Sequence, residues 1–188
     1  MSHAIGEIRS LAMRAARGAG LSWGLAEDAG HAVAWLEARG APGATALADL
    51  VAERAKGTSG RCPILAGAAA LDTGSLDTGE APIDRPLLVV PFLAAFAPHG
   101  GALAIGWAGV EIVLSSDALS LNGSREDLLA KRAALTTMTM PSLPAHPNPP
   151  QCRAMIDTAV LAQLNDSARR LLAPSDALSR ATGAGGGA

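Results

Sequence analysis

Glycine and proline cut the first 57 residues into three helical lengths, and that punctuation constrains the fold more than any other feature of the chain. Residues 3–17 place Ile5, Ile8, Ala12 and Ala15 at three- and four-residue steps, with Leu11 beside them, which predicts an amphipathic helix. Arg9, Arg14 and Arg17 lie toward its end, where cations suit the helix dipole. Gly18 and Gly20 can take a positive φ and stop it. Ser22 is a good N-cap for a second helix reaching about Arg39, with Leu25, Ala29, Ala32, Val33 and Leu36 inward. Gly40 and Pro42 end that helix. A third, over 43–56, buries Leu47, Leu50 and Val51 before Gly57.

The pattern changes after Cys62. Residues 64–71 are small, apolar and interrupted by Gly67, which reads as a buried strand. Residues 71–84 read as a polar loop with a near repeat, Leu71-Asp72-Thr73-Gly74 and then Leu76-Asp77-Thr78-Gly79. Residues 87–90 read as a strand, and Pro91 fits the first position of a short helix through Ala97. A turn at His99-Gly100-Gly101 follows. Residues 102–107, 110–114 and 118–121 form apolar runs separated by turn residues, the signature of an antiparallel meander. Ser124 caps a short helix with Glu126 and Asp127 in its first turn, and the Thr/Met alternation through Met140 predicts another strand. Residues 141–150 hold five prolines and read as a surface loop. Asp157 caps a last long helix to about Leu172, expected to pack across the sheet through Val160, Leu161, Leu164, Ala168 and Leu171. Pro174 and Ser175 open a short final turn, and residues 183–188 are a Gly-rich tail.

These elements predict a single α+β domain over 1–188. Its parts are a three-helix layer (1–57), a mostly antiparallel sheet (58–140), a Pro-rich loop (141–152), a C-terminal helical part (153–182) and the tail (183–188). A chain of 188 residues can bury a sizeable core unaided. Hydrophobic residues make up 49% of it, but Ala is the commonest of them, so Leu, Val, Ile and three Trp must carry the packing. Net charge is −2 without a basic stripe, which argues against a nucleic-acid partner. Cys62 and Cys152 are far apart and lack metal-ligand spacing, so neither a metal nor a cofactor is expected. The N-terminus has no signal-peptide core, and the apolar run 87–97 is too short for a membrane span. A cytoplasmic protein with reduced thiols is the expectation. Positive mean hydropathy suggests a buried self-association surface, hence a homodimer.

Several constellations bear on chemistry. Arg14, Arg17, the Gly18 and Gly20 turn and the Ser22 cap present positive charge and free amides where the second helix starts, an arrangement that can bind an anion. A plain joint between two helices explains the same residues. The glycines follow a helix rather than a strand, so they are not a dinucleotide fingerprint. His31 lies one turn after Glu27 and three residues after Asp28 on the second helix, either an acid–base group or a solvated ion pair. Asp72 and Asp77 are neighbours in one loop, whereas an aspartic protease needs carboxylates from separate halves. Cys62, beside Arg61, could act as a nucleophile with His99 or His31, or could be a buried structural thiol. Arg180, ahead of the terminal glycines, is a further candidate anion contact on a closing segment.

The run Ala15-Ala16-Arg17-Gly18-Ala19-Gly20-Leu21-Ser22-Trp23-Gly24-Leu25-Ala26-Glu27-Asp28-Ala29-Gly30 resembles the N-terminal motif of an uncharacterised bacterial family, a domain of unknown function. Cys62-Pro63-Ile64-Leu65-Ala66-Gly67-Ala68, Pro91-Phe92-Leu93-Ala94, and Ser179-Arg180 with Gly183-Ala184-Gly185 are similar to it as well. The resemblance implies no activity, cofactor or catalytic residue. From the residues themselves, the leading expectation is an accessory module for a small anionic metabolite, held by Arg14, Arg17, the Ser22 helix start and Arg180. The alternatives are a small cysteine enzyme built on Cys62 and a structural homodimer subunit.

Overall fold

The computed structural model describes residues 2–75, 81–98, 101–115, 119–140 and 150–171. The expectations at His99, Arg180, the second Asp-Thr-Gly copy, the proline-rich stretch 141–149, the Pro174 turn and the 183–188 tail lie outside these residues.

The chain opens with strand β1 (Ser2–Ala4), then helices α1 (Ile5–Gly18), α2 (Trp23–Ala38) and α3 (Gly43–Ala55). Each begins and ends where local chemistry allows. The Glu7 carboxylate accepts the Ala4 amide at 3.0 Å at the start of α1. Gly20 adopts φ 89° in the turn after it, and the Ser22 hydroxyl accepts the Leu25 amide at 3.4 Å to open α2. α1 presents Ile8, Leu11, Ala12, Ala15 and Ala16 to the interior. Small residues let the helices approach closely. A Cβ on Gly30 of α2 would stand 2.9 Å from the Arg9 carbonyl of α1, and one on Gly43 of α3 would stand 2.8 Å from Leu36 Cβ of α2.

The next stretch departs from expectation twice. Residues 64–71, expected as a strand, belong to helix α4 (Pro63–Thr73). Pro63 sits at the first helical turn, where its missing N–H costs nothing, and the alanines favour helix. Gly67 is not a strand break, because the Phe92 ring fills the space a side chain would need. Residues 87–90, also expected as a strand, instead form a 3-10 turn (Pro86–Val89) entering helix α5 (Val90–Leu93), with a further 3-10 turn over Ala94–Phe96. Leu87, Leu88, Val89 and Val90 are fully buried. An all-round buried apolar run has no period that separates strand from helix. Arg85 turns the chain between β2 (Ile83–Asp84) and this segment with φ 44°, in the left-handed region.

Strands β3 (Ala102–Trp107), β4 (Val110–Leu114) and β5 (Leu119–Asn122) form the expected meander. Helix α6 (Arg125–Leu128) follows under its Ser124 cap, then β6 (Arg132–Ala133), β7 (Thr136–Met140) and β8 (Arg153–Met155). The main sheet runs β5-β4-β3-β7, all antiparallel, with Ile105 between Ile112 and Thr137. Leu103, Ile105, Trp107, Ile112 and Leu114 face the common core. Two short antiparallel pairs, β1 with β8 and β2 with β6, join segments remote in sequence.

Helix α7 (Thr158–Arg169) starts under Asp157, which accepts the Ala159 amide at 2.7 Å. It does not lie across the sheet as expected. It packs on α1 and α3, where the Ser167 hydroxyl donates to the Ala15 carbonyl at 2.9 Å and the Gln163 amide to the Ala48 carbonyl at 2.7 Å. Gly18 makes that seat possible, because a side chain there would run into the Ser167 carbonyl.

An ion network ties the two parts of the fold together. Arg85 reaches Asp49 at 3.0 Å and Glu53 at 2.7 Å on α3, and also donates to the Leu129 carbonyl at 3.0 Å. The buried Asp84 carboxylate pairs with Arg132 at 2.6 Å and accepts the Gly60 amide. Each buried charge here has an opposite charge beside it, although Arg85 Nε and Glu53 Oε2 make no hydrogen bond among the described residues. No helix among the described residues is long and apolar enough to cross a membrane.

Candidate functional site

A cleft of about 590 Å³ opens where α1 and α2 meet the end of α4 and the α5 segment. Its lining is largely apolar, with Ile5 from α1, Ala32 and Trp35 from α2, Leu71 from α4, and Pro91 and Phe92 from α5. Polar groups gather on one edge: Arg9, Asp28 and His31. A concave apolar wall with a few convergent polar groups is the usual form of a small-molecule site.

The edge is built by the helical hairpin. Arg9 lies eleven residues before Gly20 and His31 eleven after it, so two antiparallel helices folded at that glycine bring them together. Arg9 Nη2 stands 2.6 Å from His31 Nε2. A guanidinium has only donors, so His31 Nε2 accepts and the imidazole carries its proton on Nδ1. Asp28 lies three residues before His31 on α2. Desolvation pushes its carboxyl above the ordinary range, and the Glu27 and Asp72 carboxylates add to this; His31 opposes it only in its protonated form. Trp35 lies one turn after His31. Arg39 stacks on its ring at 4.0 Å from the centroid and donates to the Trp35 carbonyl at 3.3 Å, which fixes the indole in the wall.

The expected anion-binding turn is put together differently. Arg17 Nη1 donates to the Leu21 carbonyl at 2.8 Å, and its guanidinium lies 5.3 Å from the centre of the Trp23 ring. It thus ties down the α1–α2 turn. Arg14 is exposed, with Nε reaching the Ser10 carbonyl of its own helix at 3.4 Å. Ser22 spends its hydroxyl on the Leu25 amide, Gly20 supplies the left-handed turn, and Gly18 is taken up by α7. Cys62 precedes Pro63 at the α4 start and packs against the core. His31, weighed from sequence with Glu27 and Asp28, finds its hydrogen-bond partner on α1 instead. No group of three His, Cys, Asp or Glu placed to hold a metal occurs among the described residues.

Residues 3–70 match the family described as Protein of unknown function (DUF3726). The matched residues include Arg9, Asp28, His31 and Trp35, so the matched segment supplies the whole polar edge of the cleft and its indole wall. Leu71, Pro91 and Phe92, on the opposite side, lie beyond the matched residues. No curated protein and no solved structure matches the chain.

Proposed function

We propose that the chain is a binding module for a small organic anion with an apolar body, seated in the α1–α2–α5 cleft with its carboxylate or phosphate on Arg9. The observation that carries this reading is the Arg9–His31 pair at the edge of an apolar wall formed by Trp35 and Phe92. One guanidinium donor is committed to His31; its remaining donors are what a carboxylate accepts in a charge-assisted pair. The apolar body of the ligand would lie on Trp35 and Phe92, where burying surface is favourable by about 25 cal/mol per Å². Asp28, with its carboxyl pushed toward the neutral form, opposes an incoming anion less than an ordinary aspartate would. An anion beside it favours the neutral form further, so binding takes up a proton and weakens as the pH rises through the Asp28 titration. This keeps the anion-binding reading of the sequence but moves the cation from Arg14 and Arg17 to Arg9.

The test is a titration followed by tryptophan fluorescence, with phenylacetate and octanoate as probes and benzyl alcohol as the uncharged control. The expected result is a saturable change that Trp35→Phe removes. Arg9→Ala should weaken binding by roughly tenfold to a hundredfold, the size of a lost charge-assisted hydrogen bond, while Arg14→Ala leaves it unchanged. Equal binding of benzyl alcohol and phenylacetate, or an unaltered Arg9→Ala titration, would overturn the reading.

A further inference from the structure

A second cavity, of about 260 Å³, lies on another side of α2, between the α2–α3 turn, α6 and the segment that joins β8 to α7. Its wall includes Glu37, Thr45, Arg125, Gln151 and Asp157. Glu37 is the unusual member. It is the one charged residue on the interior face of α2 and is only 7% exposed. Its Oε1 accepts the Ala44 amide at 2.8 Å, a bond that caps the start of α3. Among the described residues Oε2 has no hydrogen-bond partner, and Glu37 lines the cavity. Among the described residues no cation forms an ion pair with this carboxylate. Arg125 acts on it only through space, and its Nη2 reaches the Thr45 hydroxyl at 3.4 Å. A buried acid left without its counter-ion, in a hollow that also holds a separate guanidinium, has the charge pattern of a host for a guest carrying both signs.

We propose that this cavity binds a small zwitterion of the amino-acid type, with its ammonium on Glu37 Oε2 and its carboxylate on Arg125. Asp157 adds a second negative group on the ammonium side of the charge balance, although one of its oxygens already caps α7. The cavity volume of about 260 Å³ accommodates a small molecule. Thr45 and Gln151 offer hydroxyl and amide groups to the remaining polar atoms.

The site carries its own pH signature. Burial is the main force on Glu37 and pushes its carboxyl up to about 7; the Ala44 amide and Arg125 pull the other way. The charged groups facing it are Arg125 from α6 and Asp157 ahead of α7, while Arg39, two residues on, is stacked on Trp35. An ammonium guest needs the carboxylate, so affinity should rise with pH toward about 7 and level off above it. Below that value it should fall by up to roughly tenfold per pH unit.

The experiment is calorimetric titration of the whole chain with glycine, β-alanine and γ-aminobutyrate, which separate the two charges by different lengths, alongside methylamine and acetate. The expected result at pH 8 is saturable binding of at least one zwitterion, with methylamine and acetate weaker by about tenfold or more. Glu37→Gln keeps an oxygen for the Ala44 amide; it should abolish that binding and flatten its pH dependence. Arg125→Ala, an exposed position that should leave folding intact, should weaken the zwitterion by about tenfold but leave methylamine unchanged. Absence of heat with all three zwitterions would overturn the proposal. So would a Glu37→Gln protein that binds as well as the parent, or methylamine that binds as tightly as the zwitterions.

Discussion

Gly18→Ala should cost about 3 kcal/mol of stability and loosen α7 from the helical layer. In an ordinary helix the change would help, because Ala is favoured over Gly by up to about 1 kcal/mol. Here the added methyl points at the Ser167 carbonyl, a backbone atom that no side-chain rotation can move aside. The two helices must separate, and separation stretches the Ser167–Ala15 and Gln163–Ala48 hydrogen bonds that hold α7 in place. For a chain of this size the loss corresponds to a fall in melting temperature of roughly 6–12 °C. Gly24→Ala is the control. Nothing lies within 4 Å of a Cβ there, so that substitution should be neutral or slightly stabilising. Thermal unfolding followed by circular dichroism distinguishes the two, and equal melting temperatures would mean that α1 and α7 are not packed as described.

The second large effect depends on pH. Glu37→Gln should stabilise the chain above neutrality and leave its stability near pH 4 almost unchanged. The sign follows from linkage. The folded protein holds the Glu37 proton up to about 7, whereas the unfolded chain releases it near its ordinary value of 4.5. The folded state is therefore not penalised below the unfolded value. It loses stability as the pH rises from 4.5 to about 7, and the loss is constant above that. Its full size is on the order of 3 kcal/mol. Glutamine keeps the acceptor for the Ala44 amide and never ionises, so it escapes the loss. Urea unfolding of both proteins at pH 4 and pH 8 reads it directly. Parallel stability curves across that range would contradict the placement of Glu37.

Much of this architecture is legible because its signals are local. Ser22, Ser124 and Asp157 each open a helix by accepting a backbone amide, as their types and positions suggest. Gly20 and Gly40 take the positive φ that ends a helix, and the Ala108-Gly109 turn separates β3 from β4 as read. The elements that differ from expectation are those whose apolar runs are packed against distant segments. Gly67 in residues 64–71 looks like a strand break until Phe92 is seen to fill the space beside it, and residues 87–90 are fully buried, so neither run shows a period that separates strand from helix. Strand β1 exists only because β8 arrives from 150 residues further along to pair with it, with Arg153 donating to Ser2.

The site divides in the same way. His31 stands out in the sequence as a histidine near carboxylates, but its partner Arg9 is read from α1 only once the hairpin is folded at Gly20. Arg17 looks like a free cation in sequence and is instead the tie that holds the turn, through Leu21 and Trp23. Glu37 resembles any solvent-facing acid near a helix end. Its burial depends on the α3 start and on the returning segment, where the Gln151 amide donates to the Ala38 carbonyl at 2.6 Å.

The claim on which the rest turns is that Arg9, and not the Arg14–Arg17 turn, receives the charged end of a ligand whose body lies on Trp35 and Phe92. Amide chemical-shift mapping of the labelled chain during a phenylacetate titration tests it most directly. The predicted result is a contiguous set of shifts at Gly6, Arg9, His31, Ala32, Trp35 and Phe92, with the amides of residues 17–24 unmoved. Shifts concentrated at 17–24, or none at saturating phenylacetate, would contradict it.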